Sequence, residues 1–168
     1  FYAYYNGQYC KAREIAFSPW DLGLLRGLGV FDVLPVVNGK AFLWEWHFER
    51  LSRSAESLGL VLPVTLEEFG QILSTLIEKN EQESGVCFRT LLTGGVSEDA
   101  FTPHTAGETL VVLMEVCHEL PASVFQEGAR VMTLDHVRSF PRVKMTHYVN
   151  AIKTLPLRKQ QGALETLY

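Results

Sequence analysis

The chain has 168 residues, 47% of them hydrophobic and 20% charged, a composition typical of a globular protein that can bury a core without disulfides or metals. Its net charge of −4 disfavours nucleic acid and anionic membranes as partners, because both attract clustered Lys and Arg. No apolar stretch reaches the roughly 18–20 residues of a membrane helix, and the first residues lack the basic and apolar regions of a secretion signal.

Two Asn-Gly pairs predict hairpins in the first part of the chain. Asn6-Gly7 and Asn38-Gly39 each separate two β-prone runs. Asn-Gly is a strong hairpin signal because both residues tolerate the positive φ that a type I′ turn requires. The predicted strands are residues 1–5, 8–12, 30–37 and 40–43.

Two amphipathic helices are predicted next. In residues 44–58, apolar side chains recur every three or four positions, which is the pattern of a helix with one buried face. Thr65 and Glu68 form a capping box that predicts the start of a second helix, ending near Asn80. Each helix therefore has one apolar face that can pack on a sheet.

The remaining elements complete an α+β pattern. Residues 85–93 and 109–117 are predicted strands around a polar loop, and 129–134 is a shorter strand. A helix is predicted at 149–161, which Pro156 should kink or split, and a last strand at 163–168 has no partner in the sequence. We expect an N-terminal α+β domain at 1–118, a linker at 119–123 and the beginning of a C-terminal domain at 124–168.

Lys144 is the lysine with the most distinctive surroundings, since it lies between Val143 and Met145. Apolar neighbours destabilise the ammonium form and favour the neutral amine, which is the nucleophile that condenses with an aldehyde. The alternative is a surface lysine whose stem lies on apolar side chains.

Three other charged residues interrupt apolar patterns or suit an anion. Arg50 lies three residues after His47 on one face of the first helix, and its planar guanidinium suits a phosphate, although most arginines on helices are simply solvated. Arg89 and Asp32 lie inside apolar strand patterns, where a charge needs a partner or a pocket unless that face of the sheet is solvated.

Other potential sites are disfavoured by their spacing. Gly27 and Gly29 precede a strand, whereas the glycines of a dinucleotide fingerprint follow one. Thr93-Gly94-Gly95 is either a strand-ending turn or an anion-binding nest. The three cysteines include no Cys-x-x-Cys pair, which predicts reduced thiols in a cytoplasmic protein. The five histidines show no metal-ligand spacing, so we predict no metal site.

Taken in order, four segments resemble one family. Residues 21–34 are similar to its Asp-x-Gly…Arg-Gly-(Asp)-Gly-Val-Phe-Glu signature, and residues 47–55 to its His-x-x-Arg-Leu-x-x-Ser-Ala helix. Arg89 with Thr93-Gly94-Gly95, and then Pro141-x-x-Lys144-x-x-x-Tyr148, follow at plausible spacing. The family is the class IV (fold-type IV) aminotransferases, which include branched-chain and D-amino-acid aminotransferases and aminodeoxychorismate lyase.

The resemblance implies a fold, a cofactor and a set of site residues. The fold would be a two-layer α/β sandwich domain followed by the start of a barrel-like domain, in a homodimer. The cofactor would be pyridoxal 5′-phosphate, held as a Schiff base on Lys144, with Arg50 on its phosphate and Tyr148 beside it. Phe31 and Arg89 would line the substrate pocket.

The details of the motifs favour a branched-chain L-amino acid as substrate, with a 2-oxo acid as acceptor. D-amino-acid enzymes favour Tyr where this chain has Phe31, and their carboxylate-binding Arg and His are not found after Gly95. Two departures weaken the match. His147 stands where the family usually has Asn, and Pro35 stands near the position where branched-chain enzymes often carry an Arg. D-amino-acid aminotransferase and aminodeoxychorismate lyase remain the alternatives.

The length of the chain leaves a non-catalytic alternative open. Family members continue well past Tyr168, into a segment that would supply the glutamate facing the pyridine nitrogen and further phosphate ligands. The sequence therefore predicts a fragment of an enzyme or a shortened protein. The second possibility includes a remnant that dimerises or binds partners without catalysis.

Overall fold

The computed structural model describes residues 1–167 and divides the chain into two compact units. The first unit contains Phe1–Cys117 together with the short segment Arg142–Thr146. The second contains His118–Pro141 and the residues from His147 onward. A segment from late in the sequence thus packs with the N-terminal unit.

The first unit is a six-stranded antiparallel sheet with two long helices. Its strand order is β2-β1-β6-β5-β3-β4, so the last strand of the unit lies in the middle of the sheet. The elements are β1 Tyr2–Tyr5, β2 Gln8–Lys11, α1 Leu22–Arg26, β3 Gly29–Val37, β4 Lys40–Ala41, α2 Trp44–Glu56, α3 Leu66–Asn80, β5 Val86–Thr93 and β6 Thr109–Val116. The predicted α+β class is confirmed.

Both predicted hairpins are confirmed. Asn6 and Gly7 have positive φ angles of 42° and 88°, and the turn they make brings Tyr5 opposite Gln8. Asn38 and Gly39 form the second turn in the same way, with φ angles of 49° and 69°. The β4 strand ends at Ala41, two residues earlier than predicted.

The helix α1 was not predicted, because five residues are too few to show helical periodicity. Asp21 caps it by accepting a hydrogen bond from the Gly23 amide at 2.7 Å, and Gly27 ends it in the left-handed conformation. This short helix occupies the segment that leads into β3.

The helices α2 and α3 cover one face of the sheet. The predicted capping box at the start of α3 is present, with Thr65 and Glu68 exchanging hydrogen bonds of 3.2 and 2.7 Å. The core contains Leu51 of α2, Phe69 of α3 and Val30 of β3, all fully buried. Because side chains alternate along a strand, the residues between the core positions face away from the helices.

The second unit consists of α4 Ala122–Glu127, β7 Val131–Thr133, α5 Val149–Gln160 and β8 Glu165–Leu167. The last strand pairs in parallel with β7, so the expectation of an unpartnered strand was wrong. The helix α5 runs through Pro156 without a break, and the predicted split does not occur. None of the helices described in residues 1–167 has the length and apolar character to span a membrane.

Candidate functional site

The segment carrying Lys144 is attached to the edge of β3 by backbone hydrogen bonds. The Phe31 amide donates to the Lys144 carbonyl at 2.9 Å, and the Thr146 amide donates to the Gly29 carbonyl at 3.0 Å. Val143 is buried in the core, and Met145 packs against it. The alternation of side chains therefore directs Lys144 away from the helices.

The amine of Lys144 lies against the ring of Phe31. Its Nζ atom is 4.5 Å from the ring centroid, and the Lys144 side chain is half-buried. Phe31 is only 9% exposed. The aromatic face attracts the amine when it is protonated and gives it an apolar wall when it is neutral.

Arg89 contacts the same aromatic ring. Its guanidinium carbon lies 5.6 Å from the Phe31 centroid. On its other side, Arg89 forms a two-point ion pair with Glu115, with Nη2–Oε1 and Nε–Oε2 distances of 2.6 and 3.0 Å. Phe31, Arg89 and Lys144 are therefore brought together on the face of the sheet opposite the helices.

The sequence did not single out Glu115. The signal was available, because Glu115 interrupts the apolar pattern of β6 in the same way as Arg89 interrupts that of β5. Two opposite charges inside apolar strands often pair across neighbouring strands. The pairing required the register of β5 with β6, which the sequence does not provide.

Arg50 is held by a buried carboxylate on the helix-facing side of β3. Asp32 is 2% exposed and accepts hydrogen bonds from Arg50 Nε and Nη2, both at 2.7 Å. His47 Nδ1 lies 2.7 Å from the same carboxylate. The hydrogen bond to Asp32 raises the pKa of the Arg50 guanidinium. Because 48% of the Arg50 side chain remains exposed, a fixed cation is presented for an anion.

Ser54 connects Arg50 with the backbone of Lys144. The Ser54 hydroxyl donates to the Arg50 carbonyl at 2.8 Å and accepts from the Lys144 amide at 3.4 Å. Ser54 is buried and lies one helical turn after Arg50 on α2. The two residues predicted to hold the cofactor are thus linked through one side chain.

Tyr148 belongs to the second unit. It directly precedes α5, is 43% exposed, and makes no side-chain capping bond to that helix. The other predicted site residues all belong to the first unit.

The Thr93-Gly94-Gly95 segment forms a tightly packed strand end. The Thr93 hydroxyl donates to the buried Asp21 carboxylate at 2.9 Å and accepts from the Gly95 amide at 3.3 Å. Gly95 has a φ of +68°, and a Cβ there would lie 1.7 Å from the Gly107 carbonyl oxygen. These contacts favour the turn over the anion-binding nest, because the Gly95 amide already has an acceptor.

The amino-acid sequence also matches a known family. The family model described as "Amino-transferase class IV" matches residues 29–168. The chain is 31% identical over 153 residues to the aminodeoxychorismate lyase of Bacillus subtilis, covering 88% of this chain and 51% of that protein. It is 30% identical over 156 residues to a Methanocaldococcus jannaschii protein provisionally named branched-chain-amino-acid aminotransferase, covering 89% of this chain and 52% of that protein.

The fold is shared with solved aminotransferase structures. The branched-chain amino acid aminotransferase of Escherichia coli has a TM-score of 0.84 at 19% identity, covering 98% of this chain and 58% of that one. The chain spans about half the length of the curated relatives it matches.

Proposed function

Since the chain belongs to the class IV amino-transferase family, we propose that it is part of a pyridoxal-phosphate enzyme that moves an amino group from an amino acid to a 2-oxo acid. The observation that carries the proposal is the half-buried side chain of Lys144, whose amine lies 4.5 Å from the Phe31 ring centroid, on a segment that is hydrogen-bonded to β3. The backbone hydrogen bonds to β3 fix the position of this lysine, whereas an ordinary surface lysine has a mobile side chain.

Lys144 and Arg50, whose side chains lie on opposite sides of β3, carry the groups that two parts of this cofactor require. Lys144 supplies an amine for the aldehyde, and Arg50 supplies a fixed cation for the phosphate, with Ser54 linking their backbones. Bound there, pyridoxal phosphate supplies an aldehyde that condenses with amines and a ring that accepts the electron pair left at the substrate α-carbon.

Each residue of the site then has a physical task. Asp32 fixes the guanidinium of Arg50, so little side-chain entropy is lost when a phosphate binds. Phe31 excludes water from one side of the Lys144 amine and restricts its rotamers. The Lys144 Nζ would carry the proton between the substrate α-carbon and C4′ of the cofactor. We assign Tyr148 to the cofactor site on the motif spacing alone.

A branched-chain L-amino acid is the proposed amino donor. Val33, Leu91 and Leu113 share the sheet face of Phe31, as the strand register requires, and such a wall suits an aliphatic side chain. The provisional name of the M. jannaschii relative supports this choice. The similarity to the B. subtilis lyase keeps aminodeoxychorismate lyase as an alternative, alongside D-amino-acid aminotransferase.

The cofactor assignment is tested in the full-length protein with added pyridoxal phosphate. We expect a yellow protein whose colour is bleached by borohydride, with the cofactor label recovered on the peptide containing Lys144. Lys144→Ala should abolish the fixed label, whereas Lys153→Ala, which removes an exposed lysine of α5, should retain it. A label distributed over several lysines, or one that persists in Lys144→Ala, contradicts the assignment.

The substrate is tested by turnover. Transamination of L-leucine, transamination of D-alanine and lyase activity on aminodeoxychorismate separate the three candidates. No turnover of L-leucine together with clear turnover of either other substrate rejects the branched-chain proposal.

The proposal also includes a homodimer in a reducing, cytoplasmic compartment. The thiols Cys10, Cys87 and Cys117 are all free, which suits such a compartment. Sedimentation of the full-length protein tests the dimer. A protein that dimerises but stays colourless with pyridoxal phosphate would instead be a non-catalytic binding protein.

A further inference from the structure

The pair of Arg89 and Glu115 connects two central strands beside the Lys144 amine. The guanidinium makes two contacts with the carboxylate, at 2.6 and 3.0 Å, and Cys87 Sγ lies 3.7 Å from the same carboxylate. Both charged side chains are 36% exposed. The pair therefore links two strands of the sheet, yet both of its side chains remain partly accessible to solvent.

The position of the pair relates it to the end of a substrate side chain. Phe31 contacts the Lys144 amine at 4.5 Å and the Arg89 guanidinium at 5.6 Å from its centroid. A substrate that presents its α-carbon to Lys144 and lays its side chain along the Phe31 ring brings the far end of that side chain towards Arg89. Whether the far end of the substrate side chain is neutral or acidic then decides whether the Arg89–Glu115 ion pair stays intact.

We infer that Glu115 sets the preference of this site between neutral and acidic side chains, by competing with a substrate carboxylate for Arg89. This role depends on the function proposed above. A neutral aliphatic side chain leaves the ion pair intact and packs on the apolar wall beside it. An acidic side chain brings a second carboxylate to a guanidinium that Glu115 already occupies, and like charges at that distance repel each other.

Because Glu115 is partly exposed, the free-energy cost of binding an acidic side chain beside it is limited. A carboxylate that is 36% exposed can turn towards solvent and release Arg89, since exposed ion pairs are weak. An acidic side chain therefore binds after displacing Glu115, at a cost that a neutral side chain does not incur. Removing the charge of Glu115 while keeping its shape should remove that cost.

Binding of two matched carboxylic acids tests the inference without turnover. Glutarate and 4-methylpentanoate are titrated calorimetrically into the full-length protein carrying pyridoxal phosphate. In Glu115→Gln, the affinity for glutarate relative to 4-methylpentanoate should rise about tenfold, the effect of one well-placed charge contact. In Glu115→Asp, which keeps the charge but shortens its reach, the rise should be smaller.

The matched controls separate this role from a structural one. Glu83→Gln, on an exposed glutamate before β5, should leave the ratio of the two affinities within twofold of the parent value. Arg89→Gln combined with Glu115→Gln should cancel the rise. A ratio unchanged in Glu115→Gln, or a rise that survives the loss of Arg89, overturns the inference.

Failure of the proposed function can be distinguished from failure of the inference about Glu115. A full-length protein that binds the cofactor but transaminates no amino acid refutes the aminotransferase proposal, whereas the glutarate ratio still decides the role of Glu115. In an active enzyme, the ratio of kcat/KM for L-glutamate to that for L-leucine should change in Glu115→Gln in the same direction as the affinity ratio.

Discussion

Replacing Asp32 with Asn is the sharpest test of how the candidate phosphate cation is held. The carboxylate accepts two hydrogen bonds from Arg50 and contacts His47, all at 2.7 Å, and is 2% exposed. An amide keeps one acceptor oxygen and puts an NH₂ group where the other oxygen stood. At least one donor of Arg50 or His47 then faces another donor.

The size of the effect follows from the burial of the two partners. Breaking a fully buried ion pair from one side costs about 3–5 kcal/mol. Because 48% of the Arg50 side chain is exposed, water compensates part of that loss, and we expect Asp32→Asn to lower the free energy of unfolding by about 2–3 kcal/mol.

Urea unfolding without added cofactor measures this loss. Glu49→Gln is the matched control, an acid-to-amide change at an exposed position of α2, the helix that carries Arg50. It should cost less than about 0.5 kcal/mol. A double-mutant cycle with Arg50→Gln should give a coupling energy of about 1–2 kcal/mol between Asp32 and Arg50. If Asp32→Asn costs no more than the control, or the coupling energy is zero, Asp32 does not hold Arg50 in the way described.

Three further predictions concern the scaffold around the site. Gly95→Ala should destabilise by more than about 3 kcal/mol, because the new Cβ would meet a carbonyl oxygen at 1.7 Å, whereas Gly27→Ala, in the left-handed conformation with no atom within 4 Å of the added Cβ, should cost about 1 kcal/mol by thermal unfolding. Thr65→Ala should cost about 1 kcal/mol and Thr65→Ser much less, since only the serine keeps the capping hydroxyl; equal losses would contradict the capping role. Burial raises the pKa of the Cys87 thiol to about 12, so at pH 8 its nucleophilic thiolate is scarce, and iodoacetamide should modify Cys87 more slowly than the half-buried Cys10, as mass spectrometry would show. Equal modification rates would contradict the burial of Cys87.

The local elements could be predicted because their causes lie within a few residues of sequence. The Asn6-Gly7 turn depends on two neighbours that accept positive φ, and the start of α3 depends on Thr65 and Glu68, three residues apart. The periodicity of α2 is visible because its 13 residues span more than three turns of helix. The short α1 was missed because its five residues contain too little of that pattern.

In the candidate site too, the features that depend on local sequence could be predicted, and the long-range contacts could not. The motif spacing was enough to single out Lys144, Arg50, Phe31 and Arg89 as candidates, and the family match shows which protein class the chain belongs to. The partners of these residues did not follow from the motifs. Glu115 is 26 residues from Arg89 in sequence, and Ser54 is 90 residues from Lys144.

The amino-acid sequence by itself determined the two Asn-Gly turns, the starts of α2 and α3, the α+β class and the choice of Lys144 as the candidate lysine. Only the tertiary structure decided that β6 lies between β1 and β5, that residues 142–146 return to the edge of β3, and that a glutamate faces Arg89. The physical reason is that strand order and register are selected by the burial of a whole sheet face, and a shift of one residue would turn every side chain of a strand to the other face. Contacts that depend on that register are properties of the assembled sheet and are not encoded in any one segment.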